Sequence, residues 1–129
     1  MNPHLQGKTY PDTAFPVEHA RVAEFRRVFG QRDGVPPTFL AAAEFAVMPM
    51  VIDDPELGLD FPRVLHGSQE YEFERPVREG EALTIRARLE SIKVRSGTGF
   101  LIIAMDVVDE AGELVATTRS TMVERSSQP

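Results

Sequence analysis

The chain has 129 residues, with fourteen Lys and Arg against twenty Asp and Glu, a formal charge of -6 at neutral pH and no cysteine. That length suits one domain able to bury a core unaided; the missing cysteines exclude disulfides and thiolate metal sites, and the acidic balance disfavours a phosphate-backbone partner. No basic, apolar leader opens the sequence and no segment reaches the roughly twenty apolar residues a bilayer needs, so the expectation is a soluble cytoplasmic protein with neither a membrane nor nucleic acid as partner.

Met1 to Thr13 is polar and broken by Pro3, Gly7 and Pro11, which reads as a mobile arm. The expected organisation is a flexible arm at 1–14, a single domain at 15–124 and a flexible tail at 125–129. Phe15 to Val17 suits a short first strand. Val22, Phe25 and Phe29 then recur at helical spacing, with Gly30 as the stop. TFLAAAEFAVM, Thr38 to Met48, is apolar on almost every side with Glu44 as its only charge. Such a helix has to be enclosed by protein. Pro36 and Pro37 suit its first turn and Pro49 its end, which leaves about three turns.

Met50 to Arg63 carries Asp53, Asp54, Pro55, Gly58 and Pro62 and is expected as a long surface loop with at most a helical turn. From Gln69 the period becomes two: Gln69, Tyr71 and Phe73 share one face, and Glu70, Glu72 and Glu74 the other. After the Glu79-Gly80-Glu81 turn, Leu83, Ile85, Ala87 and Leu89 alternate with Thr84, Arg86, Arg88 and Glu90, whose arginines are expected to meet the glutamate face across a hairpin. Ile92 and Val94 break that parity, which a bulge near Ser91 explains. FLIIAMDVV is apolar on both faces, as in a central strand, and LVATTRSTMV is the last. About five antiparallel strands wrapped round one central helix make an α+β hot-dog fold. Because its sheet covers only one side of itself, a second hot dog, identical or related, is the expected partner.

LGLDFPRVLHGSQEYEFERPVREGEALTIRARL, with VPPTFL before it and DEAGELVATTRSTMV after it, resembles the N-terminal-type domain of MaoC-like dehydratases. Within that group it is similar to the non-catalytic subunits of two-chain (3R)-hydroxyacyl thioester dehydratases. The resemblance implies acyl-CoA or acyl carrier protein thioesters as ligands, a place in fatty acid metabolism, and a homodimer or a heterodimer with a catalytic MaoC-like subunit. No cofactor and no metal are implied. Active members resemble one another in a loop bearing an aspartate and, five residues on, a histidine. Here Asp33 stands in GQRDGVPPTF but Thr38 takes the histidine's place. The turn that offers N–H groups to an enolate-like oxygen in active members here holds Pro36 and Pro37, which have none to give, leaving Thr38 and Phe39.

His66 is a candidate base, against a hydrogen-bonding or subunit-contact role; Gln69 belongs to the same polar stretch. Asp33 is a candidate acid, against a turn aspartate before Gly34. Glu44, on a buried helix, needs a partner, and an ion pair is the structural reading beside a functional one. Phe39, Phe45 and Met48 are candidate acyl-lining side chains, each with a core reading beside it. The expected function is the substrate-tunnel half of a (3R)-hydroxyacyl thioester dehydratase. The alternatives are a self-sufficient homo-oligomeric hydratase, a hot-dog thioesterase and a ligand-sensing hot dog without turnover.

Overall fold

The computed structural model describes residues 1–30 and 34–126. Their strands and helices run β1 (Thr13–Pro16), α1 (His19–Phe29), α2 (Leu40–Ile52), β2 (Val64–Phe73), β3 (Ala82–Arg95), β4 (Thr98–Val108) and β5 (Leu114–Glu124), with short 3₁₀ turns at Pro3–Leu5, Pro37–Phe39 and Phe61–Arg63. The strands form one antiparallel sheet in the order β1-β3-β4-β5-β2. The strand that is apolar on both faces, β4, takes the middle. This is the hot-dog arrangement expected from the sequence.

The order corrects one expectation. β2 and β3 are consecutive in the chain but not neighbours, so no hairpin joins their charged faces. Arg88 instead pairs with Asp106 and Glu90, Arg86 with Asp12, and Glu72 with Arg119. The bulge expected near Ser91 is present, as a register shift between Leu89 and Ser91. A second shift, between His66 and Ser68, falls at Gly67.

α2 is longer than its sequence suggests. Thr38 and Phe39 form a 3₁₀ turn ahead of it, and Pro49 lies inside it; the end is closed by the Asp53 N–H donating to the Pro49 carbonyl at 2.9 Å. Pro49 has no N–H for the Phe45 carbonyl one turn back, and both residues lie on the exposed side, where a lost helical bond costs least. Nor is α2 enclosed all round. Leu40, Ala43, Glu44, Val47 and Val51 are buried, whereas Phe45 is 78% exposed. The sheet of one chain curls round one side of the helix only, and the apolar remainder stays open.

α1 ends as its spacing predicts: Gly30 is left-handed at φ 69° and its N–H caps the Arg26 carbonyl. Phe25 meets Phe39 edge-on at 5.1 Å between ring centres and Phe15 meets it at 5.9 Å, a geometry aromatic pairs favour. The segment expected as a loose arm runs along β3. Gly7 and Tyr10 donate to the Leu89 and Ala87 carbonyls at 2.8 and 2.9 Å, and the Lys8 carbonyl accepts from Leu89 at 2.9 Å. The Arg125 N–H donates to the Arg63 carbonyl at 2.9 Å; residues 127–129 lie outside the described part. Among the described residues no helix is long and apolar enough to cross a membrane.

Candidate functional site

A groove of about 480 Å³ lies between the open side of α2 and the strands β2 and β5. Helical spacing on α2 lines one wall with Ala41, Glu44, Phe45, Met48, Pro49 and Ile52; β2 gives Val64, His66, Gln69 and Tyr71 to the other, β5 adds Ser120 and Met122, and the long loop adds Phe61. His66 and Gln69 are three apart and would face opposite ways in a regular strand. The Gly67 bulge takes up one residue and turns both into the groove. A Cβ at Gly67 would stand 3.3 Å from the Thr121 carbonyl oxygen, so the bulge is tight against β5.

The groove is polar at one end. Glu44, only 6% exposed, accepts hydrogen bonds from Gln69 Nε2 at 2.7 Å and from the Tyr71 hydroxyl at 2.8 Å, with Ser120 Oγ 3.0 Å away. Ser120 Oγ also lies 2.6 Å from Gln69 Oε1, so its single proton has two acceptors within reach. The ion pair expected for Glu44 is absent among the described residues; neutral donors surround it instead. Burial, reinforced by the bond to Glu44, pushes the Tyr71 phenol well above its usual range, so it stays a donor at any physiological pH. At the other end Ile52, Phe61, Val64 and Met122 make an apolar wall.

Of the residues that the sequence singles out, Glu44, Phe45, Met48, His66 and Gln69 meet in this groove. His66 is exposed and makes no side-chain hydrogen bond among the described residues. Phe39 is fully buried between α1 and β1, away from the lining, and its N–H is taken by the Pro36 carbonyl at 2.9 Å. Thr38 is exposed beside it and does not line the groove. Asp33 lies outside the described residues. Tyr71, Ser120, Ile52, Phe61 and Met122 join the lining without having been expected there. Tyr71 carries a signal, two residues after Gln69 on the same face; Ser120 carries none, because its place opposite Gln69 depends on the strand register.

A five-stranded antiparallel sheet curled round one helix, with a groove between the helix and an edge strand, defines a hot-dog domain of the kind found in MaoC-like dehydratases. Residues 10–118 match the model of the FAS1-like dehydratase domain region, and the chain belongs to that family. A UPF0336 protein of Streptomyces coelicolor is 35% identical over 99% of this chain and 97% of its own, and one of Saccharopolyspora erythraea is 31% identical over 94% and 89%. Among solved structures, the HadBC (3R)-hydroxyacyl-ACP dehydratase complex of Mycobacterium tuberculosis superposes with a TM-score of 0.77 at 20% identity, covering 92% of this chain and 96% of that one. A MaoC-like dehydratase superposes at 0.80 with 24% identity over 95% of this chain and 43% of its own. An R-hydratase of Pseudomonas aeruginosa gives 0.68 at 16% identity, over 95% and 83%. These likenesses share the fold.

Proposed function

We propose that this chain binds an acyl thioester, carried on CoA or on an acyl carrier protein, as the non-catalytic, substrate-tunnel half of a (3R)-hydroxyacyl thioester dehydratase. The observation that carries the reading is a largely apolar groove on α2 in which, among the described residues, Glu44 is held by Gln69 and Tyr71 and no hydrogen bond joins it to His66 as an acid-base pair. Dehydration needs a base at the carbon beside the carbonyl, an acid for the leaving hydroxyl and donors for the oxyanion. Here Thr38 stands where active relatives resemble one another in a histidine, Pro36 and Pro37 have no N–H, and the Phe39 N–H is already engaged. The groove suits an acyl tail, each buried methylene contributing about 0.8 kcal/mol. The exposed Phe45 and the free edge of β2 are what a second hot dog would cover, and that partner would bring an intact aspartate and histidine pair.

The test measures dodecanoyl-CoA binding by calorimetry and hydration of trans-2-dodecenoyl-CoA by absorbance, on the purified chain alone and with a co-expressed MaoC-like chain bearing the Asp–His pair. Binding without turnover is expected for the chain alone, a drop of about tenfold or more in affinity for Met48→Asp, and hydration in the complex. Hydration by the lone polypeptide at an enzymic rate overturns the reading. Because Glu44 lies in the groove, a thioesterase is the second reading; thiol release from dodecanoyl-CoA that is abolished by Glu44→Gln selects it.

A further inference from the structure

The face of the sheet turned away from α2 is apolar at one end and sorted by charge from side to side. Its residues alternate with the buried Leu101, Ile103 and Met105 of β4 and with the groove-lining Ser120 and Met122 of β5. Strand register sets them in rows. One runs from Lys93 on β3 through Phe100 on β4 and Val123 on β5 to Leu65 on β2, and it stays open, with Leu65 53% and Phe100 41% exposed. Further along the strands a row joins Arg88, Ala104, Arg119 and Glu70, and the next joins Arg86, Asp106, Thr117 and Glu72. β3 thus shows cations on this face and β2 shows carboxylates, about 14 Å away across three strand spacings. The charges between them are settled in place: Glu90, at the β3 bulge, is held by Arg119 at 2.9 Å, and Asp106 by Arg88. Arg86 and Glu72 reach Asp12 at 3.1 Å and Arg119 at 3.5 Å within the chain, yet their side chains stay 52% and 71% exposed.

We infer that this face is self-complementary and that a second copy of the chain stacks on it back to back, about a two-fold axis running along the strands between β4 and β5. Aligned sheets pack about 10 Å apart with their strands within about 30° of each other, and two kinds of two-fold axis in the plane of contact achieve that. An axis across the strands lays β3 on β3 and β2 on β2, so cations meet cations and carboxylates meet carboxylates. The axis along the strands exchanges β3 with β2 and β4 with β5 and keeps each row at its own height. Arg86 then faces Glu72 of the copy, Arg88 faces Glu70, Phe100 lies on Val123, and the long Arg119 lies over the small Ala104. Each pairing occurs twice, as an isologous contact requires. The twist of the sheets offsets facing side chains by about one residue, which an arginine spans. The net charge of -6 opposes the pairing at long range, where salt screens it, while the opposite charges act at contact. From β3 to β2 and from Phe100 to Asp106 the face measures about 19 by 23 Å, at the small end of specific interfaces, so the pairing depends on concentration. It leaves the edge of β2 and the open side of α2 free, and it stands independently of the thioester reading.

The experiment is sedimentation velocity of the full chain from about 5 to about 500 μM at neutral pH, in a Phe45→Asp background that silences association through the open side of α2. A monomer–dimer equilibrium is expected to persist in that background. Arg86→Glu, Glu72→Arg and Phe100→Asp, each added singly, are expected to weaken it about tenfold or more. Arg86→Glu/Glu72→Arg, which reverses both charges of each pair, is expected to restore it to within about threefold. That rescue separates a contact between copies from loss of the Asp12 and Arg119 pairs inside the chain, which the double variant leaves broken. Circular dichroism and Tm check that every variant folds. A monomer at all concentrations in the Phe45→Asp background overturns the inference. So do single variants that associate as the background does, or a double variant no tighter than the two charge reversals taken singly.

Discussion

Glu44 is a carboxyl buried with three neutral neighbours and, among the described residues, no cation, and its environment explains how its burial is tolerated. An unpaired buried charge is expensive, but hydrogen bonds from Gln69 and Tyr71 offset much of that. Replacing Glu44 by Ala strands the Gln69 amide and the Tyr71 hydroxyl together, and a loss of about 1–3 kcal/mol in urea unfolding is expected. Thr118 presents the opposite case. Its hydroxyl is buried without a hydrogen-bond partner among the described residues, so Thr118→Val removes a desolvated group at nearly constant shape. A gain of about 1 kcal/mol is expected, read as a rise of about 4 °C in Tm.

At the scale of elements, the N-terminal segment is tied to the loop after α2 through Asp54. Its carboxylate accepts from Lys8 Nζ at 2.6 Å, the Tyr10 hydroxyl at 2.8 Å and the Glu56 N–H at 2.9 Å. The Lys8 ammonium, chiefly, holds the Asp54 carboxyl down to about 2 from its ordinary 3.8. The fold therefore favours the ionised form more than the unfolded chain does. This stability is fully present above about pH 4 and is lost as pH falls through about 2. Amide exchange of Gly7 to Tyr10 is expected to speed up across that window in the wild type, and in Asp54→Asn already at neutral pH. Local pattern makes these elements readable to different degrees. α1, the two-residue alternation of β3 and the bulge near Ser91 are visible in the sequence because each follows from spacing within one segment. The end of α2 is not, since Pro49 reads as a stop until its place on the open side of the helix is known. The partner of β2 is not either: sequence adjacency suggests β3, while the apolar demand of the sheet centre gives β4 the middle and sets β5 beside β2. Glu44, His66 and Gln69, which line the groove, are singled out by chemistry alone, but Ser120 needs the register and Phe61 needs the path of the loop.

For the whole molecule, net acidity and unevenly exposed apolar surface act together. Phe45, Phe61 and Leu65 are each more than half exposed, and repulsion between like-charged copies opposes their association while the charge is well below zero. The sequence isoelectric point is near 5.0. Light scattering of the isolated chain is expected to rise most steeply near pH 5 and to fall again on either side. The substitution Phe45→Asp, which puts a carboxylate in the open apolar strip of α2, is expected to flatten that maximum without changing the far-ultraviolet dichroism.

Gly67 has a consequence for how this surface can change over generations. Because Gly67 is the one surplus residue of β2, losing its codon would straighten the strand and leave His66, Gln69 and Tyr71 facing α2, whereas a codon gained or lost where no bulge takes it up would exchange the two faces. Point substitutions can retune the groove by degrees, but a shift of one residue that no bulge absorbs abolishes it.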